Sequence, residues 1–196
     1  MKVTITPADG NIKRFANQLG ALGSRKTHTV LARAVNRTTT TAHGRVVKAI
    51  AKQSDIPRGI IRQQVKRQTV STNIDHGGSL EGVIRATGKP ISLKYFKARQ
   101  FSFGVKAKHG GKWHNYPSAF MGPRPGVIAR GLHGHVFVRT TEKTWISKGK
   151  RAPIQKLFGP SVPEEMVRGE SERVFRSAVS EMLEKRVAHE IGRLLK

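Results

Sequence analysis

The side chains able to do chemistry in this chain are unevenly supplied. It has 196 residues, eight histidines and no cysteine. Disulfides and thiolate metal sites are therefore excluded. The closest histidine pair is His133-Gly134-His135. On a strand, residues two apart share a face, so these rings could begin a metal site. A metal also needs third and fourth ligands. The nearest acid in sequence is Glu142, and no His-Glu-x-x-His spacing occurs. These histidines are expected in a loop or at the surface, with no metal. Carboxylates are scarcer still. Asp9, Asp55, Asp75 and Glu81 are the only acids in 1–141. Paired-carboxylate catalysis needs two acids converging on one site. A Ser–His–Asp arrangement draws on the same few acids, and no Gly-x-Ser-x-Gly turn is present. The glycines match no phosphate-cradling motif. A nuclease lacks the carboxylates that would hold Mg²⁺. No catalytic residue and no cofactor are expected.

The cations are plentiful. Lys+Arg number 37 against 12 Asp+Glu, a net charge of +25. Residues 161–196 hold seven of each, so the first 160 carry 30 basic and five acidic residues and the whole excess. Such a field attracts polyanions and makes association salt-dependent. The partner it implies is nucleic acid or an acidic protein surface. Basic residues cluster in Arg58–Arg67 and Lys89–Lys112. There Lys94, Lys97, Arg99, Lys106 and Lys108 interleave with Tyr95, Phe96, Phe101 and Phe103. Cations beside aromatics can form a stacking platform for single strands. Strand alternation favours the other arrangement, with the aromatics in the core and the lysines in water. That second arrangement is expected. The cations remain candidates for a surface facing DNA or a protein partner.

These side chains must be positioned by helices at both ends and strands between. Val3–Thr6 reads as a short strand, Pro7–Gly10 as a turn, and Asn11–Leu22 as a helix capped by Asn11. A long helix is predicted from Ser24 to Lys52. Leu31, Val35, Thr38, Ala42, Val46 and Ile50 form its apolar stripe. Arg33, Arg37, Lys48 and Lys52 each lie two positions beyond a stripe residue, about 200° around the helix, and so face away. Asp55 is expected to cap a short helix, with Pro57 in its first turn, ending near Val65. Strands are then predicted at Val70–Ile74, Leu80–Thr87, Ile91–Phe96, Gly104–Lys108, Lys112–Tyr116 and Val136–Thr140. His109-Gly110-Gly111 turns one hairpin, and Met121–Gly134 is a Gly/Pro-rich arm. From Ser161 the period is helical again. Ser161 is the expected cap and Pro163 lies in the first turn, with Glu164 and Glu165 at the positive end. Val167, Val174, Ala178, Met182, Val187, Ile191 and Leu194 form its stripe. Glu172–Arg176 and Glu181–Lys185 have ion-pair spacing.

The expected fold is α+β: a long N-terminal helix, a mainly antiparallel β-meander with an extended loop, and a long C-terminal helix packing on the sheet. One domain covers 1–196, divided into a helical part (1–66), a β-rich part (67–160, with the arm at 121–134) and the C-terminal helix (161–196). Hydrophobic residues are 37%, so the core is lean and neighbouring subunits are expected to add stability. No apolar run approaches the ~18 residues of a membrane span. The first residues lack a signal peptide's apolar stretch. A cytoplasmic origin is expected.

Several of these segments resemble the prophage minor tail protein Z family. They are Ile91-Ser92-Leu93-Lys94-Tyr95-Phe96-Lys97-Ala98-Arg99-Gln100, Gly104-Val105-Lys106, Pro117-Ser118-Ala119-Phe120, and Gly134-His135-Val136-Phe137-Val138-Arg139. Pro153 through Pro163, with Leu157-Phe158-Gly159-Pro160-Ser161-Val162-Pro163 entering a helix, completes the order, and Ala34-Val35-Asn36-Arg37 matches on the long helix. The likeness covers roughly residues 25–190. It departs from the best-known member of the family in a longer Met121–Gly134 loop and in Lys112-Trp113-His114-Asn115-Tyr116. The resemblance implies a non-enzymatic virion part at the head-proximal end of a phage tail, made in the host cytoplasm and acting in tail completion and head–tail joining. The implied partners are its own copies in a ring of six around the DNA channel, the tail tube, terminator and connector proteins, and the genomic DNA end, with no membrane. A free, sequence-independent nucleic-acid-binding protein is the alternative. On the first reading Arg33, Arg37, Lys94, Lys97, Arg99, Lys106 and Lys108 face DNA or a partner, and Phe120, Phe137 and Phe158 serve packing or subunit contacts.

Overall fold

The computed structural model describes residues 2–5, 24–71, 80–122, 132–140, 144–146, 149–151 and 153–193. The predicted Asn11–Leu22 helix, most of the predicted Val70–Ile74 strand and the middle of the arm (123–131) lie outside them. Strand β1 spans Lys2–Ile5, and the next element among the described residues is helix α1 (Ser24–Ser54), close to its predicted bounds. Four consecutive threonines sit at its middle. The hydroxyls of Thr38, Thr39, Thr40 and Thr41 donate to the carbonyls of Ala34, Val35, Asn36 and Arg37 at 2.8–3.1 Å. That satisfies the polar groups of residues whose intrinsic helix preference is weak. Val35, Thr38, Ala42, Val46 and Ile50 are all buried, as the stripe predicts.

Helix α2 (Arg58–Gln64) leads straight into β2 (Val65–Gln68), and β3 is Gly82–Ala86. Their sheet has the order β1-β3-β2, wholly antiparallel, with Ile84 opposite Val3 and Arg67. Ile84 and Ala86 meet α1 residues Ala42, Val46 and Ile50 in the main core. Gly82 starts β3 directly under α1. A Cβ there would overlap Thr39 Oγ1 and lie 3.0 Å from Val35 Cγ1.

Three expectations change here. The cap at Asp55 does not form: Pro57 precedes α2 without a side-chain bond, and Asp55 sits at φ 62° with its carboxylate turned elsewhere. Ile91–Phe96 is not a strand. Ser92 makes one isolated bridge to Phe158, and Leu93–Tyr95 is a 3₁₀ turn. Leu93 and Phe96, three apart, are thereby both fully buried, as 3₁₀ spacing allows. The β region is several small sheets rather than one meander. Strands β4 (Arg99–Phe101), β5 (Gly104–His109) and β6 (Lys112–Pro117) form one sheet. Strands β7 (Ala119–Met121), β8 (Val136–Arg139) and β11 (Ile154–Lys156) form another, in the order β11-β8-β7. Between them in sequence, β9 (Thr144–Ile146) and β10 (Gly149–Arg151) pair as a hairpin. Every strand pairing among the described residues is antiparallel.

The C-terminal helix is two helices, α3 (Val162–Met166) and α4 (Glu170–Gly192), because Gly169 takes φ 56° between them. Ser161 caps α3 as predicted, in a reciprocal capping box with Glu164. The α4 helix lies chiefly along α1, through Leu183 and Val187 against Ala32, Ala34 and Val35. So α1 stands between α4 and the β1-β3-β2 sheet, and the expected helix-on-sheet contact is mainly helix on helix. Polar contacts fasten this seam. Gln53 donates to Glu165 Oε2 (2.6 Å) and accepts from Ser171 (3.4 Å). The predicted Glu172–Arg176 pair forms at 2.8 Å. Glu181 is reached across the seam by Arg45 at 3.0 Å instead of pairing with Lys185. The fold is α+β, with long helices at both ends and antiparallel sheets between. Among the described residues, no helix is long and apolar enough to cross a membrane.

Candidate functional site

The β4-β5-β6 sheet carries the densest meeting of cations and aromatics. Its hairpin turn is built by Gly110 and Gly111, both at positive φ (61° and 77°), which a two-residue primed turn requires. Asp55 tethers this turn to the end of α1. It accepts a hydrogen bond from the Gly111 amide at 2.9 Å and pairs with Lys108 Nζ at 3.4 Å. At the other end, the Gln100 amide donates to the carbonyls of Phe101 and Gly104, both at 3.0 Å, and its oxygen accepts from the Met121 amide at 2.8 Å. That one side chain holds the Phe101–Gly104 turn and ties β4 to β7.

Register decides which residues share the outer face. Arg99 stands opposite Lys106, Lys106 opposite Asn115, and Lys108 opposite Trp113. Directly opposed residues lie on one face, so Arg99, Phe101, Lys106, Lys108, Trp113 and Asn115 face the same way. The guanidinium of Arg99 lies 5.9 Å from the Trp113 ring centroid. Lys106 Nζ lies 5.7 Å from that of Phe101 and 6.0 Å from that of Phe103. The two phenylalanine rings stack at 5.5 Å and 14°. Phe101, Phe103 and Trp113 remain 42, 47 and 47% exposed. The expectation of core-facing aromatics therefore holds for Phe96, which is fully buried, and fails for Phe101, Phe103 and Tyr95. The reason lies in the alternation itself. Arg99 and Phe101 are two apart on one strand, so cation and ring must share a face.

The candidate cations separate into groups. Arg99 and Lys106 meet on this face, and neither has a carboxylate partner among the described residues. Lys108 faces the same way but is engaged by Asp55. Arg37, proposed from sequence as partner-facing, is turned onto Glu190 of α4 at 2.9 Å. It is a seam residue. Arg33 is exposed elsewhere on α1. Lys94 lies 4.9 Å from its neighbour Tyr95's ring centroid, and Lys97 is exposed at φ 53° just after the 3₁₀ turn. Of the candidate aromatics, Phe120 and Phe137 are opposed in the β7–β8 ladder with ring centroids 6.0 Å apart, and Phe137 is buried. They serve packing within the chain. Phe158 is half exposed, with Lys156 Nζ 5.3 Å from its ring centroid.

The histidines are used in two other ways. His133 sits in a turn at φ 45°, so it does not share a strand face with His135. His135 Nδ1 is 2.6 Å from Ser92 Oγ, and its Nε2 is 3.3 Å from Lys156 Nζ. An ammonium only donates, so Nε2 accepts from Lys156 and Nδ1 carries the proton given to Ser92. Burial, followed by Lys156, Lys94 and His133, holds the His135 imidazole below its usual range. On the inner side of the sheet His109 meets Tyr116 Oη at 2.8 Å, stacks on His114 at 3.8 Å, and meets the Phe96 ring edge-on. Burial, then the like charge of His114, lowers its pKa, and burial raises that of Tyr116. Among the described residues no three His, Asp or Glu side chains converge as a metal site.

Trp113 was not singled out by sequence reasoning, nor was the clamp of Gln100. The signal for Trp113 was its place in a strand directly across the Gly-Gly turn from Lys108. The Gln100 tie to Met121 reaches across 21 residues and has no local signature. No family model, curated protein or solved structure matches this chain.

Proposed function

We propose that this chain is a structural component of a tailed-bacteriophage virion, acting in tail completion and head–tail joining at the head-proximal end of the tail, as a ring around the DNA channel. The observation that supports this reading is where the segments resembling the minor tail protein Z family sit. Three of them, far apart in sequence, meet as one unit. The Gly159 amide donates to the Ile91 carbonyl at 2.7 Å, and Leu93 and Leu157 are joined by a backbone bond of 3.3 Å. Gly159 lies against Phe96, where a Cβ would come within 2.7 Å of the ring. Ser92 reaches His135 of the third segment. Residues recurring in a fixed order are explained if they build one scaffold together. The half-exposed Phe158 and the edge strand β11, with Ile154 43% exposed, are surfaces such a ring could use between copies. The basic excess of residues 1–160 suits a DNA-lined channel.

The test is to locate the protein in intact particles by electron microscopy with a specific label, and to examine particles made without it. Heads and tails that fail to join are the expected result. Normal joining in its absence would sink the proposal. The second reading, a free nucleic-acid-binding protein, is favoured by the exposed rings and cations of the β4-β5-β6 face. It is separated by salt. A free binder leaves DNA steeply as salt rises, whereas a virion part stays with tails.

A further inference from the structure

The outer face of β4-β5-β6 has a chemistry more specific than positive charge. Two aromatic stations flank two cations. Phe101 and Phe103 stand at one end, Trp113 at the other, and Arg99 and Lys106 sit side by side between them. The ends are opposite Gly104 and Lys108, four residues apart on β5, or roughly 13 Å at about 3.3 Å per residue. We propose that this face binds single-stranded nucleic acid, with unpaired bases stacked on Phe101, Phe103 and Trp113 and phosphates held by Arg99 and Lys106. The inference rests on the nucleic-acid reading of this surface and not on the virion placement. A duplex hides its base faces in its own stack and offers phosphates and groove edges, which gives half-exposed rings no face to stack on. An unpaired strand offers a π-face and an anion at each repeat, matching the rings and the cations together. Arg99 and Lys106, which have no carboxylate partner among the described residues, are placed to neutralise phosphate. Gln100 and Asp55 hold the two turns of the sheet, so the face is preorganised.

The experiment uses the full chain and two probes of one mixed sequence: a fluorescent 12-nucleotide DNA strand and its duplex, read by anisotropy at two salt concentrations. The single strand should bind more tightly than the duplex. Phe101→Ala, Phe103→Ala and Trp113→Ala should each weaken the single strand about tenfold while leaving the duplex unchanged. Arg99→Ala and Lys106→Ala should weaken it and flatten its salt dependence. Lys48→Ala, an exposed cation on α1, should do far less. Thermal melts check that the variants fold, and Trp113→Phe, which keeps an aromatic face, should restore binding where Trp113→Ala loses it. Equal binding of strand and duplex, untouched by the ring variants, would overturn the platform while leaving a plain polyanion surface. Ring variants that bind the strand normally but fail to join particles would overturn it in favour of a protein contact, with the virion role still standing.

Discussion

Arg37 is the position where the structural account is most exposed to test. Its guanidinium Nη1 lies 2.9 Å from Oε1 of Glu190, a carboxylate 1% exposed between α1 and α4. The approach is close but not aligned as a hydrogen bond, so the interaction is mainly Coulombic. Arg193 Nη1 lies 3.4 Å from the other oxygen. Removing one partner of a buried pair typically costs about 3–5 kcal/mol, because the remaining charge is left buried. Arg37 is itself 46% exposed, Arg193 remains, and water can enter the space left by truncation. Together these reduce the expected cost of Arg37→Ala to about 2 kcal/mol, or about 4–8 °C in Tm for a chain of this size. In a Glu190→Gln background the same substitution should cost under about 0.5 kcal/mol, since no charge is stranded. Urea denaturation of the four proteins gives the coupling. Affinity for DNA should be nearly unchanged in Arg37→Ala. An Arg37→Ala protein as stable as the wild type that loses DNA binding would instead place Arg37 against the partner, as its position in the sequence suggested.

Other outcomes follow from the same contacts. Asp55→Ala removes the Gly111 and Lys108 contacts and places alanine at φ 62°. It should cost about 2–4 kcal/mol in chemical denaturation, and Asp55→Asn, which tolerates that φ and keeps an acceptor for Gly111, should recover about half. Gly82→Ala drives a methyl into Thr39. A loss of about 1–3 kcal/mol, relieved by adding Thr39→Ala, which removes the overlapping hydroxyl, is expected from thermal melts. His109 and His135 both titrate below the ordinary 6.5 in the folded chain. Unfolding thus takes up protons as pH falls through 6.5, so their contribution is whole above that pH and declines below it. The Tm difference between pH 7.5 and 5.5 should shrink in His135→Asn and in His109→Gln.

Much of the scaffold is legible in the residues. The three-and-four spacing of Val35, Thr38, Ala42, Val46 and Ile50 specifies α1 because a helix must bury one stripe. Ser161-Val162-Pro163-Glu164 specifies its own cap, and Gly110-Gly111 its own turn. These are local, and local chemistry decides them. Ile91–Phe96 misled because its β-branched and aromatic residues suit a strand, while burial of Leu93 and Phe96 together demanded a tight turn. Asp55 misled for a related reason. An aspartate before Pro57 looks like a cap, but the hairpin 56 residues away offered a backbone amide and a lysine. The cations of the candidate site were all named from sequence. Which of them pair with a carboxylate among the described residues was not legible, since those partners are remote in the chain. The face of the aromatics was partly legible, through the shared parity of Arg99 and Phe101.

The amino-acid sequence by itself determined the confinement of the +25 excess to residues 1–160, the scarcity of carboxylates there, the two long helices and the tight turns. All are properties of composition or of neighbours within a few residues, and no folding is needed to evaluate them. Only the tertiary structure decided that Arg37 and Lys108 are spoken for by Glu190 and Asp55, and that Arg99 and Lys106 stand among exposed rings. Charge adds along a chain, but pairing requires groups from distant segments to come within about 4 Å, and strand register alone settles which side chains meet on one face.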